Sequence, residues 1–591
     1  MITRTRIAVL ASLTVLGLCY GASAAAASSS VIVSPVSGTV SAMPGTQISF
    51  LGASPGSLSS ISVVGSSTGR HSGRLRSYSS AAGQSFLPSS PFTPGEHVTV
   101  RATWRSPTGR HSTLSTSFTI AQPVVVPSTE FPSAPGTPAD IQGFHSQPEL
   151  HPPTVTVHQA ATGASAPGYL FAAPFLGPAQ WGPMIFDSAG NLVWFKPVAA
   201  GLDAADLRTQ VFHGKNDLTW WQGRTITLGY GLGVDVIANA NYKTVAVIHA
   251  GNGLQADEHE FNVSPQGTAY ILAYSPVQAD LSSAGGSTSG VAVDGVIQEI
   301  DVHTGLVMWE WHSLGHVDVS ESYSKAPGVA STPYDYFHIN SLTTDSHGNP
   351  LISARNTWAL YDINHHTGAI MWRLGGKKST YALGPGVQFA YQHNAQWLPN
   401  GNISLFDDEG APPINPPSRG EVVALDRATH KATLVTSLVR TIGPVATGSQ
   451  GDVQALPAGG WMVGWGGLPN FTEYNAQGQV IYDAQLPRGE NSYRVYRLPW
   501  SGQPTTPPSI AAVTAGATST VYASWNGATT VVSWQLLTGS SATQLAPVST
   551  TPHTGFETPI PAPGAAFYEV RALSASGRVL GTSKAVAPTS R

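Results

Sequence analysis

The sequence predicts an all-β protein: a six-bladed β-propeller flanked by N-terminal and C-terminal β-sandwiches of Ig-like or fibronectin III-like character. Three observations lead there. The first is composition. The 591 residues include 62 Gly and 45 Pro, and only 10% are charged, against about 25% in an average soluble domain. Long runs of Ala, Leu, Glu and Lys, which a helical bundle needs, are missing. The second is a strand–turn–strand element that recurs six times through the middle of the chain. The third is a pattern of short alternating apolar and polar runs in both flanks, broken by turn residues about every ten positions.

Taken in order, residues 1–24 read as a cleaved secretory signal. Arg4 and Arg6 form a basic start, Ile7 to Leu18 an apolar stretch, and Ala22-Ser23-Ala24 a small-residue cleavage site. The apolar stretch is too short for a stable membrane span, and no later run is long enough. The expected location is therefore extracellular or periplasmic. Cys19 is the sole cysteine. Leu18 before it is too large for a lipid-anchor site, and the mature chain has no thiol for disulfide or thiolate chemistry. The formal net charge of −4 gives no basic excess for phosphate backbones, so nucleic acid is not an expected partner.

Residues 30–122 alternate as a sandwich does, in Gln47 to Phe50, Ser62 to Val64 and His97 to Val100. Residues 123–163 are rich in Pro, Ser, Thr and Ala and read as an extended linker or arm. Residues 505–591 return to short strands at Thr520 to Ala523, Thr530 to Trp534 and Phe567 to Val570. Neither flank gathers catalytic residue types. Packing, surface attachment or homodimer contact through the N-terminal sandwich is their expected work.

Residues 164–502 hold the repeat. It reads Phe186 to Trp194, Ile237 to Ile248, Ile300 to Trp309, Tyr361 to Trp372, Leu425 to Leu434 and Tyr474 to Tyr482. Each copy pairs a strand, a polar turn and a strand. A lone four-stranded sheet cannot bury both faces, whereas a ring of such sheets can.

A second element lies between copies of the first. His259, His338 and His393 each lead into a hairpin whose turn ends in Gly267, Gly348 or Gly401. Seven residues past each glycine stand Tyr274, Arg355 and Asp408. In a propeller, equivalent strand starts converge on one mouth of the central channel. Register alone therefore brings three histidines, an arginine and an aspartate to one funnel. Singly, each histidine is as well explained as a hydrogen-bonding tie between blades; three in register with Arg355 favour a site. His312 and His316 follow a tryptophan strand and read as loop residues. Asp407, Asp408 and Glu409 suit either a cation or a supporting role. The pairs Trp220-Trp221 and Trp461 to Trp465 suit blade packing or a phenolic ligand. Three imidazoles and a guanidinium fit an anion with several oxygens, such as a sulfate ester. They equally fit a zinc ion with an open position, and spacing does not separate the two.

Four segments carry a resemblance: Asp257-Glu-His-Glu-Phe261, Tyr336-Phe-His-Ile-Asn-Ser341, Ser353-Ala-Arg-Asn356 and Gln392-His-Asn-Ala395. In order, spacing and residue type they are similar to those of bacterial arylsulfate sulfotransferases, over about residues 165–500. The resemblance implies transfer of a sulfuryl group from a phenolic sulfate to a phenol. It implies a ping-pong route through a sulfohistidine, with no cofactor, no metal and no 3′-phosphoadenosine-5′-phosphosulfate. It makes His393 the nucleophile, with His259, His338 and Arg355 on the sulfate oxygens. Tyr274, Asp408, Asn340 and Asn356 are the expected substrate-binding neighbours. Periplasmic members carry a disulfide near the site, which this chain cannot form, and the C-terminal sandwich is an addition. Two alternatives stand beside this reading: a non-catalytic secreted propeller that binds carbohydrate or protein, and a metal-dependent propeller hydrolase or lyase.

Overall fold

A computed structural model describes residues 30–127, 129–443 and 445–590. The signal segment and Cys19 lie outside the described residues. The described chain is all-β and its strands pair almost entirely antiparallel. None of its helices is long and apolar enough to cross a membrane.

Near the N-terminus two four-stranded sheets face one another. One contains Ile32–Ser34, Ile48–Leu51, Gly73–Ser77 and Gly83–Pro88; the other contains Leu58–Gly65, Gly69–Arg70, His97–Arg105 and His111–Thr119. Val98, Val100, Ala102 and Trp104 alternate inward along one strand and meet Ile48, Phe50 and Phe118 in a shared core. Period-two burial is what a sheet with one wet face requires.

Six antiparallel sheets follow, numbered here one to six. Sheet one has Tyr169–Ala172, Met184–Phe186 and Leu192–Phe195. Sheet two has Asp203–Phe212, Lys215–Thr225, Gly231–Ala238 and Thr244–Ile248. Sheet three has Phe261–Val263, Thr268–Ala279, Gly290–Asp301 and Leu306–His312. Sheet four has Ile339–Thr344, Pro350–Ala354, Ala359–Ile363 and Ile370–Gly375. Sheet five has His393–Trp397, Ile403–Asp407, Arg419–Asp426 and Lys431–Leu438. Sheet six has Asp452–Ala455, Trp461–Gly464, Asn470–Tyr474 and Val480–Gln485. Sheet one takes its missing strand, Tyr496–Leu498, from the far end of this region, where it pairs with Tyr169–Ala172. The six sequence repeats are the last two strands of the six sheets, and the histidine hairpins are the first two strands of sheets three, four and five. Strand Gly290–Asp301 is buried along its whole length, so both of its faces are covered.

Hydrogen bonds tie each sheet to the next. The Tyr496 hydroxyl donates to Asp206, Arg208 to Glu260, the Leu342 amide to Glu260, the Ala395 amide to Ser341 and the Val453 amide to Asn394. The Val495 amide returns from sheet one to Asp452 of sheet six.

The Pro- and Ser-rich stretch 123–163 is extended but pinned. The Val124 amide donates to Pro276 O at 2.9 Å and the Ala134 amide to Leu176 O at 2.6 Å, and Thr156–Gln159 adds a fifth strand to sheet six. After residue 505 two more four-stranded sheets enclose Val521, Trp534, Leu536, Ile560 and Tyr568. Asn526 exchanges hydrogen bonds with the Phe195 backbone, and His145 stacks on Tyr522 at 3.8 Å, so this unit is docked onto the sheets.

The N-terminal sheets dock on sheet three through Ser34, Ser79 and Ser85 and around His312. It ends a strand rather than lying in a loop, which corrects its expected place. Its ring is fully buried, with Nδ1 2.7 Å from Asp294 and Nε2 3.1 Å from Glu310, and Ser41 of the N-terminal unit donates to the same Asp294. Burial alone would lower its pKa, but Asp294 and Glu310 outweigh burial and push it up to about 10. His312 is therefore an imidazolium at neutral pH.

Candidate functional site

His259, His338, Arg355 and His393 line one cavity of about 620 Å³. His338 directly precedes the first strand of sheet four and His393 opens that of sheet five, while His259 stands two residues ahead of Phe261–Val263. The backbone is forced to aim them: His338 has φ 55°, Asn394 φ 51°, Tyr391 φ 58° and Gln450 φ 68°. Left-handed geometry at non-glycine residues costs about 1 kcal/mol or more each and gathers at functional sites.

Each histidine leans on its own carboxylate through Nδ1. Asp257 lies 2.6 Å from His259, Asp335 2.5 Å from His338 and Asp408 2.7 Å from His393. This fixes ring rotation. The Gln450 amide donates to Nε2 of His393 at 3.2 Å. Nε2 of His393 is thus the unprotonated nitrogen of that ring, and Nδ1–H donates to Asp408. The rings of His259 and His338 meet edge-on at 5.0 Å.

Electrostatics separate the members. Burial, then the Arg355 guanidinium and the two other histidines, hold His393 well below the usual imidazole range. Burial also lowers His338, against the pull of Asp335. Burial pushes Asp408 well above the usual carboxyl range, with Asp407 adding to the effect. Asp257 moves the opposite way: burial raises it, but the charge and hydrogen bond of His259 outweigh burial and bring it down. Arg355 donates to Asn356 Oδ1 at 2.9 Å and to Gly448 O at 2.6 Å, with its guanidinium 4.8 Å over the Tyr391 ring. It is held on three sides, and its charge is delivered to the cavity wall.

The substrate-binding neighbours divide. Asn356 lines the cavity and donates to Asp335 O at 2.6 Å, so it bridges Arg355 and the His338 support. Tyr274, Asp408 and Asn340 stand outside the described lining residues of this cavity. The reason is the support each one gives. Asp408 is consumed by His393. Asn340 is fully buried and donates to Gln392 O at 2.8 Å. Tyr274 donates to Ile339 O and stacks on Tyr230 at 4.8 Å, behind His259 and His338. Trp220, Trp221 and Trp465 are buried in sheet cores, so they pack rather than receive a ligand. Asp407 and Glu421 share Arg419, while Glu409 accepts from the Asn415 amide. Among the described residues these acids do not form a group at metal-ligand spacing. Among the described residues the carboxylates and imidazole of Asp257, Glu258 and His259 do come within 4.8 Å of one another.

Sequence reasoning missed Asp335, Tyr493, Gly448 and Gln450. The aspartates two and three residues before His259 and His338 were a usable signal. Tyr493 was not: it comes from the end of the region, places its ring 5.2 Å from His259 and 6.3 Å from His393, and donates to Asn340 O at 2.8 Å. Arg494 beside it is fully buried, paired with Glu260 and Asp206, and donates to the carbonyls of His259 and Asn340.

Carboxylate-braced imidazoles and a clamped guanidinium thus share one cavity on an all-β frame. Residues 208–486 match the family model described as Arylsulfotransferase (ASST), and over this stretch the chain is similar to the arylsulfotransferase family. No curated protein matches it. Among solved structures, a Bacteroides caccae protein of unknown function is 12% identical with a TM-score of 0.34, covering 56% of this chain and 98% of its own. A Lactobacillus plantarum protein is 12% identical at 0.28, covering 56% and 100%. A mutant of the GH43 protein BlXynB of Bacillus licheniformis is 8% identical at 0.28, covering 65% and 89%. At these scores the likenesses carry no assignment of activity.

Proposed function

We propose that this protein is an arylsulfotransferase that works by ping-pong transfer through His393, and that the six sheets are the blades of a six-bladed propeller centred on the site. The carrying observation is the state of His393: a neutral imidazole, Nδ1 on Asp408, with the Nε2 lone pair at the wall of a cavity that also presents Arg355. The propeller reading is supported by the hydrogen bonds from each sheet to the next and by the exchange of Tyr496–Leu498 into sheet one.

In the first half-reaction Nε2 gives up its hydrogen bond from the Gln450 amide and attacks the sulfur of an aryl sulfate. The N–S bond forms as the S–O(aryl) bond breaks, and the aryl oxygen leaves with the bonding pair. His259 or His338 supplies a proton to that oxygen. Asp408 accepts from Nδ1–H and so stabilises the imidazolium made when Nε2 takes the sulfuryl group. In the second half, the histidine that gave up its proton, His259 or His338, removes the proton of an acceptor phenol, the phenol oxygen attacks sulfur, and the N–S bond breaks, returning its pair to Nε2 of His393. Arg355 offers its fork to the sulfuryl oxygens, whose spread charge makes catalysis largely positioning and electrostatics. The two sandwiches act as docked units that brace the propeller.

The test uses 4-nitrophenyl sulfate with phenol, with and without chelator. Phenol-dependent release of nitrophenol that survives chelation and is lost in His393→Ala is the expected result. The proximity of Asp257, Glu258 and His259 favours one second reading, a metal-dependent hydrolase. In that case release requires added zinc or another divalent ion.

A further inference from the structure

We propose that Phe131 is the wall that selects the acceptor, and that the preferred acceptor is a phenol carrying a second ring or an equally large apolar group. This rests on the transferase reading of the same cavity. Phe131 belongs to the stretch 123–163, ahead of the residues the family model matches. It lines the cavity, yet remains 37% exposed, an aromatic ring only partly covered by its own protein.

Its position is imposed from both sides. Before it, Thr129 O accepts from the Thr227 amide at 2.8 Å, the Thr129 and Thr227 hydroxyls meet at 2.5 Å, and Glu130 bridges to Ile226. After it, the Ala134 amide donates to Leu176 O at 2.6 Å. The two loops it joins, around Thr227 and Leu176, each supply a cavity wall: Leu228 from one, Phe175 and Leu176 from the other. Phe131, Leu228, Phe175 and Leu176 therefore give apolar lining to a cavity that the imidazoles and Arg355 also line. A ligand that meets both kinds of lining is amphiphilic, with its oxygen at the histidines and an apolar body among Phe131, Leu228 and Leu176. The volume of about 620 Å³ falls in the range of sites for ligands larger than one ring, and stacking against Phe131 rewards a planar body.

The experiment compares 4-phenylphenol with phenol as acceptors, 4-nitrophenyl sulfate being the donor. The wild-type ratio of kcat/KM, 4-phenylphenol over phenol, is expected to exceed one. It should fall about tenfold in Phe131→Ala, mostly through KM, and recover in Phe131→Tyr. Val125→Ala, on an exposed part of the same stretch, should leave the ratio alone. Calorimetry without donor gives the Kd of 4-phenylphenol for wild type and Phe131→Ala, with a similar loss expected. A ratio and a Kd that both move less than twofold in Phe131→Ala would overturn the proposal. Wild-type protein that releases no nitrophenol and forms no sulfohistidine would sink the transferase reading instead, and the Kd comparison would still decide the role of Phe131.

Discussion

Two histidines in this molecule are buried against aspartates at the same 2.7 Å, and they come out opposite. His393 pairs with Asp408 beside Arg355 and two other imidazoles; His312 pairs with Asp294 and has Glu310 on its other nitrogen. Positive neighbours and burial keep the first neutral, while two carboxylates overcome burial and charge the second. The pair geometry is therefore not what makes a nucleophile. What matters is the sign of the charge on the far side of the ring.

The sharpest break of this contrast is His393→Ala. Transfer should fall by about 10⁴-fold or more, because the covalent step has no substitute, while urea denaturation midpoints stay near wild type. The mirror change, His312→Leu, should leave turnover largely intact and cost about 3–5 kcal/mol of stability, since Asp294 and Glu310 keep their hydrogen bonds to neutral donors but are left buried without a counter-charge. Equilibrium denaturation reads that loss. Arg355→Ala comes next. Removing a preorganised cation from the sulfuryl oxygens is worth about 10²–10³-fold in kcat, and the pKa of His393, followed by NMR, should move back toward 6.5.

The smallest effects are in pH. The folded pKa of His312, about 10, lies above the unfolded 6.5. Its stabilisation is complete below about pH 6.5 and drains away as pH rises toward 10. His393 behaves in the reverse sense. With its folded value depressed, the nitrophenol burst should hold nearly constant from pH 8 to 6, where an ordinary imidazole would lose much of its nucleophilic form. A burst that halves near pH 6.5 would contradict the neutral His393 drawn above.

Much of this was legible in the chain. The repeat Ile300 to Trp309 marks a real third-and-fourth-strand hairpin, as do its five counterparts. The repeat placed His259, His338 and His393 at, or within two residues of, the first strands of sheets three, four and five, because strand period and turn length are local properties. What register could not supply is which side of a wall a residue faces. Seven positions past the turn glycine, Arg355 reaches the cavity while Tyr274 and Asp408 stop behind it. Tyr274 packs behind His259 and His338, and Asp408 is taken by its histidine. Gln450 and Tyr493 were invisible because they arrive from sheet six and the segment after it. Only tertiary closure brings them near. His312 looked like a loop residue because its role depends on Ser41, more than two hundred residues earlier.

The closing strand Tyr496–Leu498 sets an order of events during synthesis. Sheet one can start with Tyr169–Ala172 but waits for residues made more than three hundred positions later. Tyr493 and Arg494, which prop the backbone of His259 and Asn340, travel on that same late segment. A nascent chain thus carries all three histidines well before it can hold them in place. Any product truncated upstream of residue 493 lacks both the last strand and the props. Assembly of the site is in this sense a certificate that synthesis has passed residue 498, issued only once the ends of the central region have met.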